Sequence, residues 1–274
     1  MRREVPGFPR APCARNVRPS NTVLRAFGCA CADKARHNCF PGCNVPVVFD
    51  RSAARLPGRV EAELDADAGD TPHDAAGLAS GSSSAHPARV LVPMQWGLVP
   101  SFTASAAKPD FWKAFNARSE TVASKAMFRR LVDSRRCAVL LDGFYEWSVD
   151  AKGEKQPYYV HAGDGPLVVA GLFDLWRHRR PAREGEETEA APASGGWVEE
   201  DVWTVTMLTR DAAPSFAWLH DRMPVLLQED EALDAWLGAE TFAEVAGSEA
   251  FRRASAGDRP AELTWRPVSK QSER

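Results

Sequence analysis

Four short stretches of the chain concentrate side chains that can move a proton, grip a phosphate or stack on a base. The first runs His37-Asn38-Cys39-Phe40-Pro41-Gly42-Cys43-Asn44-Val45-Pro46. The second is Met94-Gln95-Trp96-Gly97-Leu98-Val99-Pro100, followed by Phe115-Asn116-Ala117-Arg118-Ser119-Glu120-Thr121. The third joins Arg135-Arg136-Cys137 to Asp142-Gly143-Phe144-Tyr145-Glu146-Trp147. The fourth is Leu219-His220-Asp221-Arg222-Met223-Pro224-Val225.

Glu146 stands between two aromatic residues at the end of a strand-like run. A carboxyl group desolvated by aromatic rings has its pKa raised toward the range useful for general acid work. The competing reading is an outward-facing strand carboxylate. His220 opens a Pro-led apolar run and suits a general base or a phosphate donor, or a loop histidine held by local hydrogen bonds. Arg118 precedes Ser119-Glu120-Thr121-Val122, where a phosphate would meet a guanidinium and a helix N-terminus together. A structural ion pair is the alternative. Trp96, beside a Gly and a Pro, is either a base-stacking ring or a core tryptophan.

The cysteines allow a test for metal. Cys29-x-Cys31 and Cys39-x3-Cys43 flank His37, but the first spacing is tighter than that of structural zinc sites, so no metal is expected. Cys13 is isolated, with Arg10 and Arg15 close enough to lower its thiol pKa.

Elements must hold these groups in place. Apolar and alternating runs predict strands at 45–49, 89–94, 137–141, 158–161, 167–172, 202–208 and 225–227. Helical patterns fall at 21–30 and 121–132, with Ser20 and Ser119 as starts. Leu233, Trp236, Leu237, Phe242 and Val245 give 229–249 an amphipathic helical pattern with an acidic outer face. The Asp, Ala, Gly and Ser-rich segment 61–88 and the segment 184–201 are expected to be polar loops. Seven short strands with two or three helices predict one α+β domain.

The 274 residues carry 34 Lys and Arg against 37 Asp and Glu, a net charge of −3 that argues against a nucleic-acid partner. The balance is uneven along the chain. Segments 61–88, 184–201 and 229–249 hold 20 of the acidic residues and no Lys or Arg, so the remaining chain has twice as many basic as acidic residues. A locally basic groove is therefore compatible with the composition, with the acidic segments on faces away from it. No run of 18 apolar residues occurs, and no membrane partner is expected. Six cysteines are too few for a disulfide scaffold and point to a reducing compartment, the nucleus in a eukaryote or the cytoplasm in a bacterium. The arginines of the opening residues leave organelle targeting open.

Taken in order, the blocks resemble the SRAP (SOS response-associated peptidase) family. The similarity runs from about Arg18 to Ser269 and rests on Asn38-x-x-Pro41-Gly42-x-Asn44-Val45-Pro46, Trp96-Gly97-Leu98-Val99-Pro100, Asn116-Ala117-Arg118-Ser119-Glu120-Thr121, Arg136-Cys137, Asp142 to Trp147, Pro157-Tyr158-Tyr159, Ala170 to Trp176 and His220 to Val225. The resemblance implies a single α+β domain of mixed, mainly antiparallel sheets forming a barrel-like core flanked by helices. It implies a monomer that captures abasic sites in single-stranded DNA through the α-amine and thiol of an N-terminal cysteine, closing a thiazolidine without metal or organic cofactor. Asn116 would position that cysteine, Glu146 would assist sugar ring opening and imine formation, and His220 would transfer protons near the sugar. Arg118, Ser119, Arg136 and Arg222 would contact DNA, Trp96 and Gly97 would belong to a base-stacking wedge, and Asn38 and Pro41 would support the site.

The family opens Met-Cys-Gly-Arg, whereas here Met1 is followed by Arg2 and the nearest match is Cys13-Ala14-Arg15. Residues 1–12 are then an extension ahead of a domain spanning 13–274, either a propeptide or an artefact of the gene start. Their proteolytic removal would free the amine of Cys13. The alternatives are a nucleophile lying outside this sequence, a member that binds single-stranded DNA without crosslinking, or a self-processing thiol peptidase.

Overall fold

Along strand β2 (Asn44–Asp50), Val45, Val47 and Phe49 lie on one face and are all fully buried, as expected where one face of a sheet meets a core. β2 pairs along its whole length with β3 (Arg89–Trp96). The computed structural model describes residues 16–19, 39–68, 89–163, 165–182, 196–256 and 263–269. Its other strands are β1 (Asn16–Pro19), β4 (Asn116–Arg118), β5 (Arg136–Val149), β6 (Lys155–Ala162), β7 (Leu167–Pro181), β8 (Trp197–Asp211), β9 (Arg222–Pro224) and β10 (Leu263–Pro267).

Five strands close on themselves in the order β5-β2-β3-β8-β7 and back to β5. β5 makes this possible because it changes partners along its length. Residues 136–141 pair with β7, and residues 144–149 pair with β6. β10 extends the sheet beyond β6, β1 lies against β5, and β4 and β9 pair with β8. Only β3 and β4 run parallel to their partner β8. This is the expected α+β architecture, a mixed and mainly antiparallel sheet with few helices.

One core fills the ring, where Phe49, Phe173 and Trp203 stack within 6 Å of one another. A second lies under helices α3 (Asp230–Leu237), α4 (Phe242–Gly247) and α5 (Glu249–Ala256). There Trp236 stacks on Phe251 at 5.1 Å, and its indole donates to the Cys137 carbonyl.

Several sequence expectations change. The predicted loop at 61–88 begins inside helix α1 (Gly58–Ala68). Val60 and Leu64, one turn apart, supply its inward face, and Ala and Glu favour helix. The loop expected at 184–201 ends in β8, which starts at Trp197. The 121–132 helix shrinks to α2 (Ala126–Arg129), flanked by turns. The single amphipathic pattern at 229–249 is divided at Gly238, and Thr241 with Glu244 forms a capping box that starts a new helix. The run at 225–227 is preceded by β9 and keeps one bridge, Leu226 to Val169. The predicted helix at 21–30 lies outside the described residues.

Candidate functional site

The Asn116-Ala117-Arg118 stretch is a three-residue strand, β4, held parallel to β8 with Asn116 opposite Met207 and Arg118 opposite Thr209. Its alternation is legible once the strand is seen: Ala117 is buried, Asn116 half-buried and Arg118 exposed. The Phe115 carbonyl just before it accepts from both the Trp96 indole at 2.9 Å and the Met207 amide at 3.1 Å. Trp96 therefore fixes the start of the strand that presents Asn116 and Arg118. After β4 the chain turns, with Ser119 donating its amide to the Thr209 carbonyl at 2.8 Å.

That turn carries Glu120 to Arg222. Both Glu120 oxygens accept from the guanidinium, at 2.8 and 2.9 Å, in a two-pronged pair. Arg222 also meets Asp211 and the Thr209 carbonyl. Burial, the largest single influence, raises the carboxyl pKa of Glu120, but the Arg222 hydrogen bond and charge together with hydrogen bonds from the Glu120 and Asp211 backbone hold the group below its usual value. The same carboxylates, Glu120 and Asp211, raise the guanidinium pKa against the effect of its burial.

His220 is positioned by the neighbouring backbone. Its Nδ1 accepts the Arg222 amide at 2.9 Å and lies 3.0 Å from an Asp221 oxygen. Both cannot be hydrogen bonds in one protonation state. In the neutral ring the amide bond leaves the proton on Nε2, and a protonated ring would turn Nδ1–H to Asp221 instead. A ring with its Nε2 proton directed away from the backbone can donate and recover that proton.

Glu146 is almost fully buried, at 3% exposure, near the end of β5. It lies opposite Tyr158 of β6. One residue before it, Tyr145 lies opposite Asn16, the first residue of β1. Gly143 at the bend of β5 is required by close approach, since a side chain there would collide with the Val160 carbonyl and the Tyr159 ring. Phe144 meets Phe216 at 6.1 Å, and Tyr158 meets Trp218 at 5.1 Å. These contacts tie the Glu146 strand to the loop that leads into His220.

The described structure thus joins β4, Glu120, Arg222 and His220 in one cluster and links Glu146 to it through Tyr158 and Trp218. Four of the residues expected to contact DNA lie in buried positions. Trp96 is fully buried with its indole hydrogen-bonded, so its ring cannot stack on a base. Gly97 is also buried; its φ of +116° and the nearness of Phe111 explain the glycine as a backbone requirement. Arg136 donates to the carbonyls of Trp236, Val132, Gly238 and Glu240 at 2.6–2.7 Å, closing the C-terminal end of α3. Arg222 commits both terminal nitrogens to protein acceptors, and its Nε is buried. Arg118 alone of the expected arginines is exposed, and among the described residues its side chain has no partner.

Pro41 is buried in a turn docked on Trp96 through the Gly42 amide. Cys13 and Asn38 lie outside the described residues. Cys137 is fully buried, which pushes its thiol pKa well up and makes it a poor nucleophile. Sequence reasoning passed over Glu120, Tyr158 and Trp218. Glu120 was legible as the carboxylate of the Arg-Ser-Glu turn, but its partner is 102 residues away. Among the described residues no cluster of three or more His, Cys, Asp or Glu could hold a metal.

With this geometry in place, comparison with known proteins defines the class. The model of the SOS response associated peptidase (SRAP) family matches residues 13–273, and the chain belongs to that family. It is 35% identical over 202 residues to the abasic site processing protein HMCES of Xenopus tropicalis, covering 66% of this chain and 53% of that relative. It is 30% identical over 182 residues to the abasic site processing protein YedK of Escherichia coli, covering 66% of this chain and 68% of YedK. The chain spans about half the length of the vertebrate relatives it matches. A crystal structure of a protein from Bordetella bronchiseptica shares the fold, with a TM-score of 0.55 at 22% identity over 94% of this chain and all of that one.

Proposed function

We propose that this chain processes abasic sites in single-stranded DNA by covalent capture through Cys13, once residues 1–12 have been removed from a domain spanning 13–274. The names of the HMCES and YedK relatives support abasic-site processing. The observation that carries the finer reading is the register of β1. Asn16 lies opposite Tyr145, beside Glu146, and the family match opens at Cys13. Only three residues of chain, at most about 11 Å when extended, separate Cys13 from Asn16, so the sequence allows its α-amine to come to the Glu146 region.

In this reading the ring-opened sugar aldehyde is attacked by the Cys13 α-amine. Loss of water gives an imine, and the thiol sulfur adds to the imine carbon as its proton passes to nitrogen, closing a thiazolidine. Glu146 in its buried position supplies and accepts the protons of ring opening and dehydration. His220 relays a proton through Nε2, Asn116 orients the cysteine, and Arg118 takes a backbone phosphate. Before processing, the Cys13 nitrogen is an amide with no nucleophilic lone pair, so cleavage of the Pro12–Cys13 bond must come first.

The test pairs intact-mass measurement with a denaturing gel of protein incubated with an abasic single strand. Protein beginning at Cys13 is expected to give a heat-stable adduct, lost in Cys13→Ala and slowed roughly 10²- to 10⁴-fold in Glu146→Gln. A heat-stable adduct formed equally by protein that retains Met1 would overturn the requirement for a free Cys13 amine. Salt-sensitive binding without any covalent band would identify a binding module instead.

A further inference from the structure

Trp218 and Trp265 are large apolar side chains that the fold leaves 47% and 36% exposed. They come from distant parts of the chain, the loop before His220 and strand β10, yet their rings lie 5.8 Å apart, and Trp218 also meets Tyr158 edge-on at 5.1 Å. Single exposed aromatics are ordinary; three gathered on one face are not. Phe216, two residues before Trp218, is fully buried with its ring 6.1 Å from Phe144 and anchors the Trp218 loop to the core.

Strand register places this cluster beside the candidate active site. Directly opposed residues of antiparallel strands share a face. Glu146 is opposite Tyr158, Phe144 opposite Val160, and Val160 opposite Trp265. Glu146, Tyr158 and Trp265 therefore face the same way, and Trp218 packs on the two aromatic members. β6 and β10 contain no acidic residue, so an anionic strand could lie along them without like-charge repulsion from either; Lys155 and Arg266 stand at the alternate register positions, on the opposite face from Tyr158 and Trp265.

We propose that Trp218, Tyr158 and Trp265 form a stacking subsite for the unpaired base next to the abasic residue. This rests on the capture of single-stranded abasic DNA proposed above. A base beside a missing base has lost a stacking neighbour and presents a bare face, which an open aromatic ring next to the reacting sugar can cover. This platform, and not Trp96, then supplies the base-stacking surface of the site.

The experiment measures equilibrium binding of the full chain, by fluorescence anisotropy, to single strands carrying a stable tetrahydrofuran abasic analogue. In one strand the neighbours of the analogue are normal nucleotides; in the other they are further tetrahydrofuran residues. Trp218→Ala and Trp265→Ala are each expected to weaken binding of the base-flanked strand by roughly five- to a hundredfold. They should change binding of the spacer-flanked strand less than twofold. Trp218→Phe should recover most of the loss and guards against misfolding, which thermal melting also monitors. Trp197→Ala removes a comparably exposed ring on β8 and should leave both strands unaffected. Wild-type affinity in both alanine variants, or an equal loss on both strands, overturns the platform even if abasic DNA is still captured. Failure of the wild-type chain to form a covalent adduct with a natural abasic strand, with the loss on the base-flanked strand in Trp218→Ala intact, would sink the capture reading and uphold the stacking subsite.

Discussion

Arg136 and Arg118 sit in neighbouring motif blocks, and each is a plausible phosphate ligand by sequence, but the fold treats them in opposite ways. Arg136 is buried where four backbone carbonyls converge and has its guanidinium over the Trp236 ring. Arg118 ends a short edge strand with its side chain in solvent and no partner among the described residues. Arg222 is intermediate: buried, but paired to carboxylates that reach the surface. A guanidinium can hold a phosphate only with donors left to give. Which arginine binds a ligand is thus decided by how many acceptors the fold has already brought to it.

The sharpest way to break this comparison is Arg136→Ala. It would leave four carbonyls without their charged donor, and we expect a loss of about 3–5 kcal/mol in denaturant-monitored stability. Wild-type stability in that variant would show that the joint is dispensable. Arg222→Ala should cost less, about 1–2 kcal/mol, because Glu120 and Asp211 can return to water. That contribution should depend on pH with a definite sign. The Glu120 carboxyl pKa is lowered in the folded state, so its stabilisation is complete above the unfolded value near 4.3 and is lost as pH falls through the lower folded value. The melting-temperature gap between wild type and Arg222→Ala should stay constant from pH 5 to 8 and narrow below about pH 4. Arg118→Ala should have the smallest effect on stability, within about 0.5 kcal/mol. It should still weaken single-strand DNA binding and reduce the log–log salt slope by roughly 0.7, one phosphate contact. A salt slope unchanged in Arg118→Ala would remove it from the interface.

The acidic segments follow the same rule of local pairing. Glu199, Glu200 and Asp201 meet Arg177, Arg180 and Arg59, and Glu229, Glu231 and Asp234 meet Arg253 and Arg89. Along β8, Asp201 lies six and Glu199 eight residues from Met207, the partner of Asn116, about 20 and 26 Å away. Such carboxylates neutralise arginines at the far end of the β7–β8 ribbon, away from Asn116.

Strand positions with buried alternation, such as β2 and the middle of β5, were legible because hydrophobic period reports burial directly. The outer ends of β7 and β8 were not, since there the strands run beyond the core and alternate Arg with Glu across the ladder. β4 escaped notice because three residues, two of them polar, carry no period of their own. The motif residues themselves were readable in order, and so was the family.

What the sequence determined by itself was the set of chemical groups, the α+β class and the SRAP membership, because these reside in residue type and local spacing. Only the tertiary structure decided which of these groups stay exposed or keep donors to offer. It buried Trp96, engaged the terminal nitrogens of Arg136 and Arg222, left Arg118 open, and brought Trp218 and Trp265 to the face that holds Glu146. Exposure and hydrogen-bond satisfaction depend on acceptors and rings supplied from up to about a hundred residues away, and no local pattern records them.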